Sequence, residues 1–142
     1  MSSKRSQARR HAAQALYQWQ VTGDDVGQIV NQFLVSEEAG KFDQGYFREL
    51  VRGVATGLEE LDGHLQPLVD RPVEQIDLVE RAVLRLGAYE LARHPEVPYR
   101  VVINEAVELA KTFGAEQGHR YVNGVMDRLA RTLRPHEAAA RR

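Results

Sequence analysis

Residues 80–90 read ERAVLRLGAYE, and the spacing of the apolar side chains in and around this stretch decides the architecture. At about 100° per residue, Val79, Ala82, Val83 and Leu86 fall on one side of a helix over residues 77–93, while Leu84 and Leu91 fall on another. A helix that is apolar on two sides is covered by neighbours on both. The segment is therefore expected at the centre of a helical protein.

Toward the C-terminus, His94-Pro95 and Val97-Pro98 end that helix and form a turn. Pro98 suits the first turn of a following helix over residues 99–113. Gly114 stops it, and a last helix is expected over residues 116–133, with Val122, Val125, Met126, Leu129 and Leu133 inward. Asn123-Gly124 is a hairpin signal in isolation. The helical stripe on both sides overrides it, leaving Gly124 as a point of close approach. Pro135 ends the last helix, and residues 136–142 are expected to form a short flexible tail.

Toward the N-terminus, Pro67 and Pro72 mark a linker over residues 67–76, with room for a short helical turn after Pro72. Before it, one long helix over residues 43–65 is expected, capped by Asp43. Its stripe is Phe47, Leu50, Val51, Val54, Leu58, Leu61 and Leu65. Gly53 and Gly57 lie about one turn apart beside that stripe, where missing side chains permit close helix packing. Gly40 marks a break. Asp24 or Asp25 caps a helix carrying Val26, Ile29, Val30, Phe33 and Leu34. The first helix, over residues 4–21, buries Ala8, Ala12, Ala15, Leu16 and Trp19, and Gly23 ends it. No segment alternates with a period of two. The expected fold is all-α, with an N-terminal helical bundle over residues 1–66, the linker over 67–76, a C-terminal bundle over 77–135, and the tail.

The 142 residues are 43% hydrophobic and 27% charged, with no cysteine. That composition supports a core and excludes disulfides, thiolate metal sites and thiol nucleophiles. It also suits a reducing cytoplasm. No apolar run reaches the roughly 20 residues needed to span a bilayer. The formal net charge of -1 is uneven along the chain. Residues 1–23 carry Lys4, Arg5, Arg9 and Arg10 and no acid. Residues 117–142 carry six arginines against Asp127 and Glu137. Between them acids outnumber bases two to one. Basic ends around an acidic middle point to two kinds of partner surface.

Chemistry-bearing motifs are missing. There is no phosphate-cradling glycine loop and no His-Glu-x-x-His. The five histidines share no ligand spacing, and no serine sits in a nucleophile elbow. The carboxylate pairs Glu59-Glu60 and Glu105 with Glu108 read as solvated helix faces. A non-enzymatic role without metal or cofactor is expected.

What remains is surface. On the first helix Tyr17 projects nearly opposite the apolar stripe, about 20° from Arg10, with Ala13 and Gln14 on the same side. Arg5 and Arg9 lie between this face and the stripe. An aromatic ring beside arginine is what a reader of single-stranded RNA requires, since cations meet phosphates while the ring stacks on an unpaired base. The alternative is a tyrosine covering a neighbouring helix. The last helix repeats the pattern with Tyr121 near Arg128, flanked by Arg120 and Arg131. Glu74, Asp77, Glu80, Glu90 and Glu96 border the central helix; they either attract a basic protein or form only a solvated face.

Several segments resemble the NusB family in the family's own order. They are residues 9–20 (RRHAAQALYQWQ), 46–51 with Gly53-Val54, 80–90, 97–106 (VPYRVVINEA), 113–116 (FGAE) and 121–125 (YVNGV). The resemblance covers about residues 9–135. It implies seven helices in two small three-helix bundles packed roughly perpendicular. It further implies a transcription antitermination factor that binds single-stranded boxA RNA of rRNA operons together with the small-subunit ribosomal protein NusE. Such a factor works within an RNA polymerase antitermination complex and supports rRNA maturation. By motif match the RNA surface would be Arg5, Arg9, Arg10, Gln14 and Tyr17 with His119, Arg120 and Tyr121. The protein partner would take the acidic face with Glu74, Glu80 and nearby Tyr99. The competing reading is a helical protein-interaction adaptor with no RNA role.

Overall fold

The computed structural model describes residues 3–140. Among these, eight α-helices and three short 3-10 turns occur, and no strand. The helices are α1 (Lys4–Thr22), α2 (Val26–Leu34), α3 (Gln44–Thr56), α4 (Leu58–Leu65), α5 (Leu78–Arg93), α6 (Tyr99–Phe113), α7 (Gly118–Leu133) and α8 (Pro135–Ala140). Arg141 and Arg142, counted above in the basic C-terminal stretch, lie outside the described residues.

The caps follow the local chemistry. Ser3 accepts from the Ser6 N–H at 3.0 Å to open α1. Asp25, Asp43 and Asp77 do the same for α2, α3 and α5. Gly23 closes α1 at φ 69°, a left-handed conformation that costs glycine nothing.

Helices α1, α2 and α3 pack on one another, as do α5, α6 and α7. Between the two sets runs α5, which also packs on α1, α3 and α4. Leu84 and Leu86, on different sides of α5, are both buried, so the two apolar faces quoted first are indeed covered. The buried side chains of both halves join in one core. Each large aliphatic or aromatic side chain fully removed from water contributes roughly 1.5–3 kcal/mol.

Three expectations need correction. The helix over residues 43–65 is two helices, α3 and α4, because Gly57 leaves helical geometry at φ -97° and ψ 19°. Glycine is a poor helix residue, and here it permits the bend. The segment between the halves keeps the expected short turn after Pro72 but has one more before it. Two 3-10 turns, at Gln66–Leu68 and Val73–Gln75, hold this segment, with Val73 and Ile76 buried. The side chain of Gln66 bridges the Arg71 carbonyl and the Val73 N–H. The third correction is at the C-terminus. Pro135 starts α8 instead of a frayed tail, since the first helical position needs no N–H. Buried Arg134 anchors this end by donating to the carbonyls of Glu90, Leu91, His94 and Val97, so capping α5. Glu137 accepts from the Tyr99 N–H at 2.9 Å, tying α8 to the start of α6.

Candidate nucleic-acid interface

The outer face of α1 keeps the expected cluster. Tyr17 is 41% exposed. The Arg10 guanidinium lies 5.4 Å from the ring centre of Phe113, at the end of α6. Between α1 and its neighbours opens a groove of about 530 Å³, lined by Ala13, Gln14, Tyr17, Val21, Val79 and Phe113 among others. The walls are mostly apolar and a cation sits at the rim. Such a groove can receive an unstacked ring while arginine meets a phosphate.

Two of the predicted arginines behave differently. Arg9 is only 4% exposed. Its Nε donates to both oxygens of Glu90, at 2.8 and 3.0 Å, and a terminal nitrogen donates to Glu105 at 2.9 Å. Glu90 also accepts from the Tyr46 hydroxyl, whose pKa is raised by burial and by that carboxylate. Arg9 is therefore removed from the candidate RNA surface: on α1 it points toward α5, where a buried carboxylate holds it. Arg5 is exposed, but its guanidinium stacks 4.1 Å from the Tyr46 ring centre on the α3 side. It sits at the flank of the Tyr17 face and not within it.

At the other end of the chain, Arg120 is exposed and His119 half-buried at the start of α7. Tyr121 is half-buried, and its hydroxyl is sealed from solvent with no hydrogen-bond partner. Its ring lies 5.6 Å from the Arg71 guanidinium, and Arg128 donates to the Leu68 carbonyl at 2.9 Å. Tyr121 thus packs against the segment between the halves, the covering role that competes with base stacking.

Helices α1 and α7 each pack on α5 and α6 far more than on one another. Val79 and Phe113 line the groove beside Tyr17. Val79 also reaches within 3.5 Å of the position a side chain on Gly114 would take. The surface therefore runs from Tyr17 over Phe113 and Val79 to Gly114 and the first turn of α7. Phe113 and Val79 were missed as site residues. Both belong to apolar stripes, and no sequence signal separates a stripe residue at a rim from one in the core.

The acidic partner face divides. Glu74 is exposed. Tyr99 is 9% exposed, with its backbone N–H held by Glu137. Glu80 is also 9% exposed, and one carboxylate oxygen is buried without a hydrogen-bond partner. Burial, with Asp77 alongside, pushes its pKa up to about 7. Of the three predicted partner residues, Glu80 and Tyr99 are withdrawn from the surface because each lies on the inward side of its helix. Glu90, another of the bordering acids, is 1% exposed and bound to Arg9. Among the described residues no group of His, Cys, Asp and Glu is placed to hold a metal, and no helix is long and apolar enough to cross a membrane.

Comparison with known proteins adds to this geometry. A model of the NusB family matches residues 6–131. The transcription antitermination protein NusB of Nitrosococcus oceani is 54% identical over 141 residues, covering 99% of this chain and 95% of that protein. Its namesake from Shewanella amazonensis is 53% identical over 127 residues, covering 89% and 95%. Among solved structures, T. maritima NusB superposes with a TM-score of 0.86 at 30% identity, covering 99% of each chain. A crystal structure of antitermination factors NusB and NusE in complex with double-stranded RNA matches at a TM-score of 0.76 and 26% identity, covering 93% of this chain and 99% of that one.

Proposed function

The chain belongs to the NusB family, and from that premise we propose that it is a transcription antitermination factor. It binds a boxA-type single-stranded RNA together with the ribosomal protein NusE, and so serves RNA polymerase read-through and rRNA maturation in the cytoplasm. The observation that carries the RNA half of this reading is exposed Tyr17 beside Arg10, above a groove lined by Gln14 and Phe113. A ring, a cation and an amide at one rim offer stacking, phosphate neutralisation and base-edge hydrogen bonding together.

The proposed RNA face is Arg10, Gln14 and Tyr17 with Val79 and Phe113, continued by His119 and Arg120 on α7. Arg5 flanks it, and Tyr121 supports it from behind. The two helical sets divide the work: the N-terminal one supplies the stacking ring, and the C-terminal one the far end of the strip. Exposed Glu74 and Asp77, at the start of α5, are offered to the basic partner.

Fluorescence anisotropy with a boxA-type RNA, with and without NusE, tests the reading at two salt concentrations. If about three phosphates are neutralised, log affinity should fall against log salt with a slope near -2. No binding in either arm at low salt would leave the protein-interaction adaptor as the better account.

A further inference from the structure

We propose that the Glu80 carboxyl, seated beneath the first residue of α7, positions the RNA face and links RNA binding to proton uptake: RNA selects the form in which Glu80 is neutral. The inference rests on the antitermination reading above and deepens it.

Glu80 stands on the first turn of α5, and the backbone of α7 closes over it. A side chain on Gly118 would lie 2.9 Å from the Glu80 carboxyl carbon and from its Oε2, and one on Gly114 would lie 3.4 Å from the same oxygen. Glycine at both positions lets the α6–α7 turn settle directly on the carboxyl group. Oε2 is buried there and accepts no hydrogen bond. A helix N-terminus ordinarily welcomes a carboxylate, and α7 has no side-chain cap of its own. Yet none of its N–H groups donates to Oε2. An ionised oxygen in that place lacks both water and donors, so the neutral acid is the form this packing favours.

The neighbouring charges do not reverse this. Asp77, the N-cap of α5, raises the carboxyl further, while a backbone hydrogen bond at Glu80 itself and Arg71, from the segment between the halves, oppose the rise. From α7 come His119, Arg120 and Tyr121, and the α6–α7 turn adds Glu116. With burial the largest influence, the balance falls at about pH 7.

Two consequences follow for RNA. Ionised Glu80 places a negative charge directly beneath Gly118, the residue before His119 and Arg120, and so weakens the attraction of this end of the strip for a phosphate. It also demands hydration, which the close seat of Gly118 denies unless the α6–α7 turn lifts. Neutral Glu80 removes both penalties. Because a polyanion then binds the protonated form better, binding must raise the carboxyl pKa by the same factor. Affinity is therefore highest below neutral pH and declines as the pH rises through the Glu80 midpoint.

The test measures affinity for the boxA-type RNA near pH 6 and near pH 8 at fixed ionic strength. A rise of about one unit in the midpoint on binding corresponds to an affinity loss of about fivefold between those conditions. Glu80→Gln cannot ionise, so its affinity should decline less between pH 6 and pH 8 than that of the parent protein. His119→Gln, which removes the histidine of the proposed RNA face, should bind more weakly but keep most of the decline. A carbon-detected NMR titration of the Glu80 carboxyl reads the midpoint directly, and it should lie near 7 and move upward when RNA is added. A decline in Glu80→Gln as steep as in the parent protein, or a midpoint in the ordinary glutamate range, overturns the inference. RNA bound equally well at both pH values sinks the proton linkage alone; RNA bound at neither removes the antitermination reading as well.

Discussion

Arg9 and Glu90, 81 positions apart in the chain, meet inside the protein with the guanidinium Nε 2.8 and 3.0 Å from the two carboxylate oxygens. Their side chains are 5% and 2% exposed. The pair fastens α1 to the central helix, and Tyr46 brings α3 to the same carboxylate. Removing one member leaves the other charge buried and unpaired, which typically costs about 3–5 kcal/mol. Arg9→Ala should therefore lose that much stability in urea denaturation, while Arg10→Ala changes it by less than about 0.5 kcal/mol. An apolar pair, Arg9→Met with Glu90→Leu, should recover most of the loss. Equal small effects for Arg9→Ala and Arg10→Ala would show that the pair does not hold the helices.

Tyr17 makes the opposite prediction. Its side chain is 41% exposed, so Tyr17→Ala should lower the thermal midpoint far less than Arg9→Ala does. The same substitution should weaken RNA binding by about 1–3 kcal/mol if the ring stacks on a base. Tyr17→Phe should keep most of the affinity, since stacking needs the ring and not the hydroxyl. Arg10→Ala should lower affinity and flatten the salt slope by about 0.7 per lost phosphate contact. Unchanged RNA affinity in Tyr17→Ala, measured by anisotropy, would remove this ring from the interface.

Gly53 lies against the Tyr89 ring. A methyl group there would stand 2.3–2.6 Å from three atoms of the phenol. The ring cannot easily retreat, because its hydroxyl is bound to Glu49 at 2.9 Å. Gly53→Ala should destabilise by about 1–3 kcal/mol despite the better helix propensity of alanine. Gly87→Ala meets instead the terminal Cε and Sδ atoms of Met126, at 2.5 and 2.8 Å. That flexible end can move, so Gly87→Ala should cost less. Chemical denaturation of the two variants decides the order, and adding Tyr89→Ala should relieve the Gly53→Ala defect alone.

His94 closes α5 between two carboxylates, Glu96 at 2.7 Å from Nδ1 and Glu49 against Nε2. Burial alone lowers the imidazolium pKa, but hydrogen bonds to Glu96 and Glu49 outweigh it and raise the net value above the usual histidine range. A pKa raised on folding means that the folded state binds the proton more tightly than the unfolded chain. The resulting stabilisation is complete below the ordinary histidine value of about 6.5. It disappears as the pH climbs through the folded value. Urea midpoints recorded from pH 6 upward should fall for the parent protein by more than for His94→Gln. Parallel curves for the two proteins would assign no such contribution to His94.

How much of this was legible in the sequence depends on the distance over which each feature is decided. Helix positions and the aspartate caps of α2 and α3 were readable because 3.6-residue periodicity and Asp caps act within a few residues. The bend at Gly57 was not, since a glycine beside an apolar stripe fits a straight helix and a bent one equally. The buried role of Arg134 was invisible for a related reason. A cationic side chain near a chain end ordinarily faces water, and only the arrival of four carbonyls from α5 and the turn after it draws this one inward.

The site divides in the same way. Tyr17, Arg10 and Gln14 share one face of one helix, so their grouping followed from helical geometry. Arg9 is next to Arg10 in sequence, yet a rotation of about 100° sends it toward Glu90. Chain chemistry cannot foresee that a carboxylate waits there. Phe113 and Val79 join the groove only because the ends of α6 and α5 pass beside α1.

Sequence by itself determined that the protein is all-helical, that α5 lies at its centre, and that no enzymatic motif is present, because periodicity and residue type are local properties. Tertiary structure decided which charges meet solvent. Arg9, Glu80 and Glu90 are as polar on paper as Arg10 and Glu74, but packing against distant segments sets whether a charge is hydrated, paired or neutralised. That difference separates the residues that hold this fold from those left to meet an RNA.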